Sequence, residues 1–110
     1  MAQVARENQS FSFEDGNLII DSKIQKVVVH GEVAFLSKTE HNLLLVLVSN
    51  HGCVIPHDRI LETVWGPDYG YHELLRLTIM RLRRKIEKDP SQPRYIKNLC
   101  GHGNYLDLKS

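Results

Sequence analysis

Cysteine is scarce: Cys53 and Cys100 are the only two in 110 residues. Two thiols cannot build the disulfide framework of a small secreted scaffold, so a reducing, cytoplasmic setting is expected. Long apolar runs are also missing. The longest, LLLVLV at 43–48, falls far short of the ~20 residues that cross a bilayer, and no membrane partner is expected. The opening MAQVARENQS has no apolar h-region and does not read as a signal peptide. There is no internal repeat and no low-complexity tract. Net charge is small as well, at +1.

That small net charge hides an asymmetry. Residues 1–71 hold 5 Lys/Arg against 9 Asp/Glu, while residues 72–110 hold 9 against 4. A polyanionic partner would therefore meet the C-terminal part of the chain. At 42% hydrophobic and 25% charged, the composition is that of one ordinary globular domain, long enough to bury a core unaided.

Residues 1–10 are polar and aperiodic and read as a tail or linker end. FSFE, NLIID after the Asp15-Gly16 turn signal, and KVVVHGE supply three or four short strands. LSKTEHNLLLVLVSNHG opens with a capping box: Ser37 can cap the N–H three residues on, and Glu40 can reach back. Leu43, Leu44, Leu47 and Val48 then repeat at helical spacing. CVIPHDRILETVWG reads as a very short strand and a short helix that starts at Pro56 and ends before Gly66. GPDYGY at 66–71 is a loop. LLRLTIMRLRRKIEKDP is a third helix stopped by Asp89-Pro90, and RYIKNLCGHGNYLDL is a hairpin. A short helix, a connection, a basic helix and a hairpin in this order match a winged helix-turn-helix.

In the third helix, Leu75, Ile79, Leu82 and Ile86 fall within about 60° of one another and form the core stripe. Glu73, Leu77, Met80, Arg81 and Arg84 face the other way, with Arg76 and Arg83 on one flank and Thr78 and Lys85 on the other. The arginines lack the i,i+4 acids that commonly balance a merely solvated helix face. Arg94 and Lys97 extend the positive charge onto the hairpin. The outward Leu77 and Met80 leave three readings open: contact with thymine methyls, a protein interface, or a helix rotated by a few tens of degrees.

Other constellations are weaker. HGC at 51–53 and CGH at 100–102 hold two Cys and two His, but the C-x-H spacing is not that of a zinc knuckle. No metal and no cofactor are expected. Ser37 is explained as a cap rather than a nucleophile, and His72 and Glu73, adjacent on a helix, do not face each other; no enzyme activity is expected. Trp65 at the end of an apolar helix reads as core.

The ordered set resembles the effector domain of OmpR/PhoB-type response regulators, most of all the KdpE-like members. LSKTEHNLLLVLVSNHGCVIPHDRILETVWG and LLRLTIMRLRRKIEKDPSQPRYI carry the resemblance, with VWG at 64–66, LRRKIEKDP at 82–90 and G-x-G at 101–103 its most specific pieces. It covers residues 11–108. It implies an α+β winged helix-turn-helix with an N-terminal four-stranded antiparallel sheet, three helices and a C-terminal β-hairpin wing. It further implies sequence-specific binding of double-stranded DNA by a bacterial transcriptional regulator of a two-component system. Residues 73–88 would lie in the major groove and the wing, 98–106, at the minor groove.

By position, the family's contacts fall on Glu73, Leu77, Thr78, Met80, Arg81, Arg83 and Arg84. With the helix flanks and the hairpin, the DNA-binding candidates are Arg76, Leu77, Thr78, Met80, Arg81, Arg83, Arg84, Lys85, Arg94, Lys97, His102 and Asn104. Pro67, Asp68, Tyr69 and Gly70 form the loop that touches RNA polymerase in some members, and two copies would pair on direct repeats. The chain departs from the family pattern at Glu73 and Met80, where Arg is frequent, at Cys100, at Asn104-Tyr105 and at Pro56. No receiver domain stands in these residues, so the sequence reads as an excised effector domain or a stand-alone regulator. The alternative is a winged-helix protein-interaction module that docks on RNA polymerase or a second copy.

Overall fold

The computed structural model describes residues 10–12, 18–21, 24–67, 71–99 and 101–107. The tail up to residue 9, the Asp15-Gly16 turn, Asp68 to Gly70 and Cys100 lie outside the described residues. Four strands come first: β1 (Ser10–Ser12), β2 (Leu18–Asp21), β3 (Lys26–Val29) and β4 (Glu32–Phe35). They form an antiparallel sheet in the order β1-β2-β3-β4. Pairing sets Leu18 opposite Val29 and Ile20 opposite Val27. All four are buried, because side chains two apart share a face of the sheet. KVVVHGE splits between two strands: His30 and Gly31 both take positive φ, 52° and 83°, as a two-residue hairpin turn requires.

The first helix, α1 (Lys38–Ser49), begins with the expected capping box. Ser37 Oγ accepts the Glu40 N–H at 3.1 Å and Glu40 Oε1 accepts the Ser37 N–H at 2.9 Å. Its Leu43, Leu44 and Leu47 are completely buried. A two-residue strand, β5 (Ile55–Pro56), leads into α2 (His57–Trp65), which stops at Gly66. The third helix, α3 (His72–Ile86), is followed by strands β6 (Ile96–Leu99) and β7 (Gly103–Leu106). The hairpin β6–β7 is widened by β5 into a three-stranded sheet of order β5-β7-β6. The expected α+β winged helix-turn-helix is the observed fold.

The core lies where the three helices meet the inner faces of both sheets. Leu18, Ile20, Val27, Leu43, Leu44, Leu47, Ile60, Leu82, Ile96 and Leu106 are completely buried there, and Trp65 packs partly buried against them. One close approach fixes the base of the wing. A Cβ on Gly103 would collide with the backbone of Ile55, so only glycine lets β7 lie against β5.

The end of α3 differs from expectation. The helix stops at Ile86, not at Asp89-Pro90, because Glu87 is extended (φ −91°, ψ 138°). Its carboxylate turns inward instead. It accepts the N–H groups of Arg94 (2.7 Å), Tyr95 (3.0 Å) and Ile96 (2.8 Å). A buried carboxylate with three backbone donors is well satisfied, and holding it there ends the helix.

Candidate nucleic-acid interface

The sequence stripe of Leu75, Ile79, Leu82 and Ile86 is buried as expected. The face opposite carries exposed Glu73, Arg76, Met80, Arg81 and Arg84, with Leu77 half-buried among them. Fifteen residues make α3 about 22 Å long, enough to lie along a major groove. Arg76 Nη2 stands 3.4 Å from the Glu73 carboxylate, an exposed i,i+3 pair of little strength. Both ends of that pair remain accessible.

Several candidate residues are placed elsewhere. Thr78, expected among the base contacts, is 4% exposed, and its hydroxyl donates to Leu74 O at 2.8 Å. The buried arc of α3 is wider than the apolar stripe, and a hydroxyl bonded to the previous turn fits inside it. Lys85 points to the N-terminal sheet, not to the outward face. Its Nζ donates to Glu40 Oε1 at 2.7 Å and to Phe35 O at 3.0 Å. Burial alone would raise the pKa of Glu40. The Lys85 hydrogen bond and charge, with the Ser37 N–H and hydroxyl, outweigh it and bring the pKa below the ordinary value. The capping box of α1 is thus tied to the last turn of α3.

Arg83 sits between the helix and the hairpin. Its Nε and Nη2 donate to Ile96 O at 3.1 and 2.9 Å, which leaves its other N–H donors for a further partner. Burial lowers its pKa, opposed by the charge of Glu87. Arg83 and Glu87 together staple the last turn of α3 to the first strand of the hairpin. The end of the helix and the base of the wing are therefore tied together by side-chain hydrogen bonds.

In the hairpin, Asn98 pairs with Asn104 and Lys97 with Tyr105. Asn104, expected at the wing surface, is 3% exposed. Its Nδ2 donates to Lys97 O at 3.2 Å, and its Oδ1 has no partner among the described residues. Lys97 lies on the other face and pairs with Asp107 at 3.2 Å. Arg94 stacks over the Tyr95 ring at 5.3 Å, away from the outward face of α3. His102 is exposed at the wing turn, and Pro67 is exposed in the loop after α2.

Asn98 and Asn104 face α3 across a cleft of about 350 Å³. Leu77, Met80, Arg76 and Arg83 line it from the helix, and His57 and His72 close one end. His72 Nε2 is 3.0 Å from Asp58 Oδ1, and the two imidazoles meet edge-on at 5.7 Å. Reading the sequence missed Asn98 and His57, and weighed His72 only with its neighbour Glu73. The register of the hairpin carried a signal for Asn98, opposite Asn104. Nothing local signalled the histidines, which converge only because α2 and α3 begin near each other.

Three likenesses bear on this geometry. The KdpE transcriptional regulatory protein of Mycobacterium tuberculosis is 33% identical over 100 residues, covering 90% of this chain and 44% of that protein. The chain thus spans under half the length of that curated relative. Response regulator DrrB of Thermotoga maritima, an OmpR/PhoB homolog, superposes with a TM-score of 0.77 at 35% identity, over 86% of this chain and 43% of DrrB. The RstA DNA-binding domain of Klebsiella pneumoniae, solved in complex with the RstA box, gives 0.80 at 27% identity, over 92% of this chain and 99% of that one. Residues 31–106 match the family described as transcriptional regulatory protein, C terminal. The outward basic helix, the wing stapled to it and these matches lead to one conclusion: the chain belongs to the C-terminal domain family of OmpR/PhoB-type transcriptional regulatory proteins.

Proposed function

We propose that residues 11–108 form a domain that binds specific sequences of double-stranded DNA, as the effector part of a bacterial transcriptional regulator in the cytoplasm. In this reading α3 enters the major groove and the β6–β7 hairpin lies along the minor groove. The observation that carries it is the outward face of α3. Exposed Arg76, Arg81 and Arg84 stand on a helix hydrogen-bonded at its end to the base of a wing, and the same fold in RstA was solved with DNA. Arg81, Arg84 and the outer donors of Arg83 bind phosphates or base edges. Thr78, Asn104 and Lys85 hold the scaffold, and Arg94, Lys97 and His102 flank the backbone. Two copies pair on DNA, and the loop at 67–70 is the place for RNA polymerase contact. The direct test is selection from a random duplex pool at physiological salt. Enrichment of one motif supports the reading, and recovery of no duplex above background refutes it.

A second reading has one observation in its favour. Met80 is 44% exposed and lines one cleft with Leu75, Leu77 and Ile79, and a contiguous exposed apolar patch marks protein interfaces. As a protein-interaction module, the domain would self-associate or capture RNA polymerase through Met80 without any duplex.

A further inference from the structure

Three polar side chains of α3 that could have read bases are engaged wholly or partly by the fold. Thr78 gives its hydroxyl to Leu74 O, Lys85 gives its ammonium to Glu40 and Phe35, and Arg83 gives two donors to Ile96 O. On the wing side, Asn104 is buried and bonded to Lys97 O. What remains on the outward face is Glu73 and the arginines Arg76, Arg81 and Arg84, with two apolar side chains, Met80 and Leu77, set among them. At 100° per residue Met80 and Leu77 sit about 60° apart, with Arg76 beyond Met80, Arg81 beyond Leu77, and Glu73 and Arg84 at angles between them one turn or more along the helix. Met80 and Leu77 open onto the cleft whose floor is made by Leu75 and Ile79.

A major-groove base edge offers this surface one apolar partner, the C5-methyl of thymine. Guanine O6 and N7, or adenine N6, set against Met80 would lose water and gain no hydrogen bond, which costs affinity. We infer that Met80 and Leu77 form a thymine-methyl reading site, and that this chain selects its DNA sites through apolar contacts at the centre of α3, flanked by arginine contacts. The cleft beside Met80 gives an unbranched thioether room to adjust to the methyl position. This inference rests on the DNA-binding reading above and specifies what that site recognises.

The test uses the duplex motif selected from the random pool and replaces each thymine in turn with deoxyuridine, which removes one methyl and keeps every hydrogen bond. Wild-type protein should lose about fourfold in affinity at one or two positions, the value of one buried CH₂. Met80→Ala, at an exposed position and with its fold checked by circular dichroism, should lose that sensitivity at its position. Met80→Arg should shift the preferred base there to guanine through O6 and N7. A change below twofold at every thymine overturns the inference while leaving DNA binding standing. A uracil profile unchanged in Met80→Ala, with self-association lost instead, overturns it in favour of a protein interface. If no duplex is selected at all, the DNA-binding reading fails and the inference falls with it.

Discussion

Glu87 is the residue whose removal should do most damage for its size. The residue is 6% exposed, and its carboxylate serves the N–H groups of Arg94, Tyr95 and Ile96. In Glu87→Ala those donors lose their acceptor. The Arg94 N–H lies in a partly exposed region and can turn to water, while Tyr95 and Ile96 are at most 1% exposed and cannot. Two stranded buried donors at about 1–3 kcal/mol each predict a loss of about 3 kcal/mol, a large part of the ~5–15 kcal/mol that holds a domain of this size together. Urea unfolding followed by Trp65 fluorescence measures it. Glu87→Gln keeps one acceptor oxygen but turns an NH₂ toward the same donors, so it should recover less than half of the loss. The same variants should weaken DNA binding, because the wing is no longer fixed to α3. A Glu87→Ala protein within about 1 kcal/mol of wild type would refute the view that this carboxylate ends the helix and holds the wing.

Other perturbations test other parts of the account. Leu82→Ala removes a completely buried side chain at the centre of the α3 stripe and should cost about 2–5 kcal/mol in urea unfolding. Gly103→Ala should separate β5 from β7, because its Cβ meets the Ile55 backbone; loss of amide-exchange protection at Ile55 and Asn104 would report it. Acid should destabilise the domain in two stages. His41 is buried and its Nδ1 has no partner among the described residues, and burial lowers its pKa from the ordinary 6.5. A lowered folded pKa means that stability is complete above 6.5 and falls as pH drops through the folded value. Glu40, lowered from 4.5, adds a second loss of the same sign below that pH. In thermal melts against pH, His41→Gln should flatten the first stage and leave the second.

Much of this fold was legible in the sequence, for reasons that are local. The capping box at Ser37 and Glu40 needs only four residues of context, and it forms as read. The stripe of Leu75, Ile79, Leu82 and Ile86 follows from helical period alone. The candidate site was less legible, since what decides it is long-range. Lys85 looks like any cationic flank until Glu40, 45 positions away, captures it. Thr78 looks outward until the packing of α3 widens its buried arc. Asn104 looks like a wing residue until the hairpin turns it toward the helix. Glu87 showed nothing special, because its partners are backbone N–H groups that no side-chain pattern announces. Leu77 and Met80 were conspicuous from the start as apolar residues on a basic face. The structure gives that anomaly a place, at the lip of a cleft between helix and wing.

The central claim is that the exposed arginines of α3 meet DNA phosphate, while the cations turned into the fold do not. The measurement that tests it most directly is the salt dependence of duplex binding, by fluorescence anisotropy, for wild type and single Ala variants. Arg81→Ala and Arg84→Ala should each lower the slope of log affinity against log salt by about 0.9. Lys85→Ala should leave the slope unchanged and lower only stability. A slope that stays the same without Arg81 or Arg84, or that falls equally without Lys85, would contradict the account.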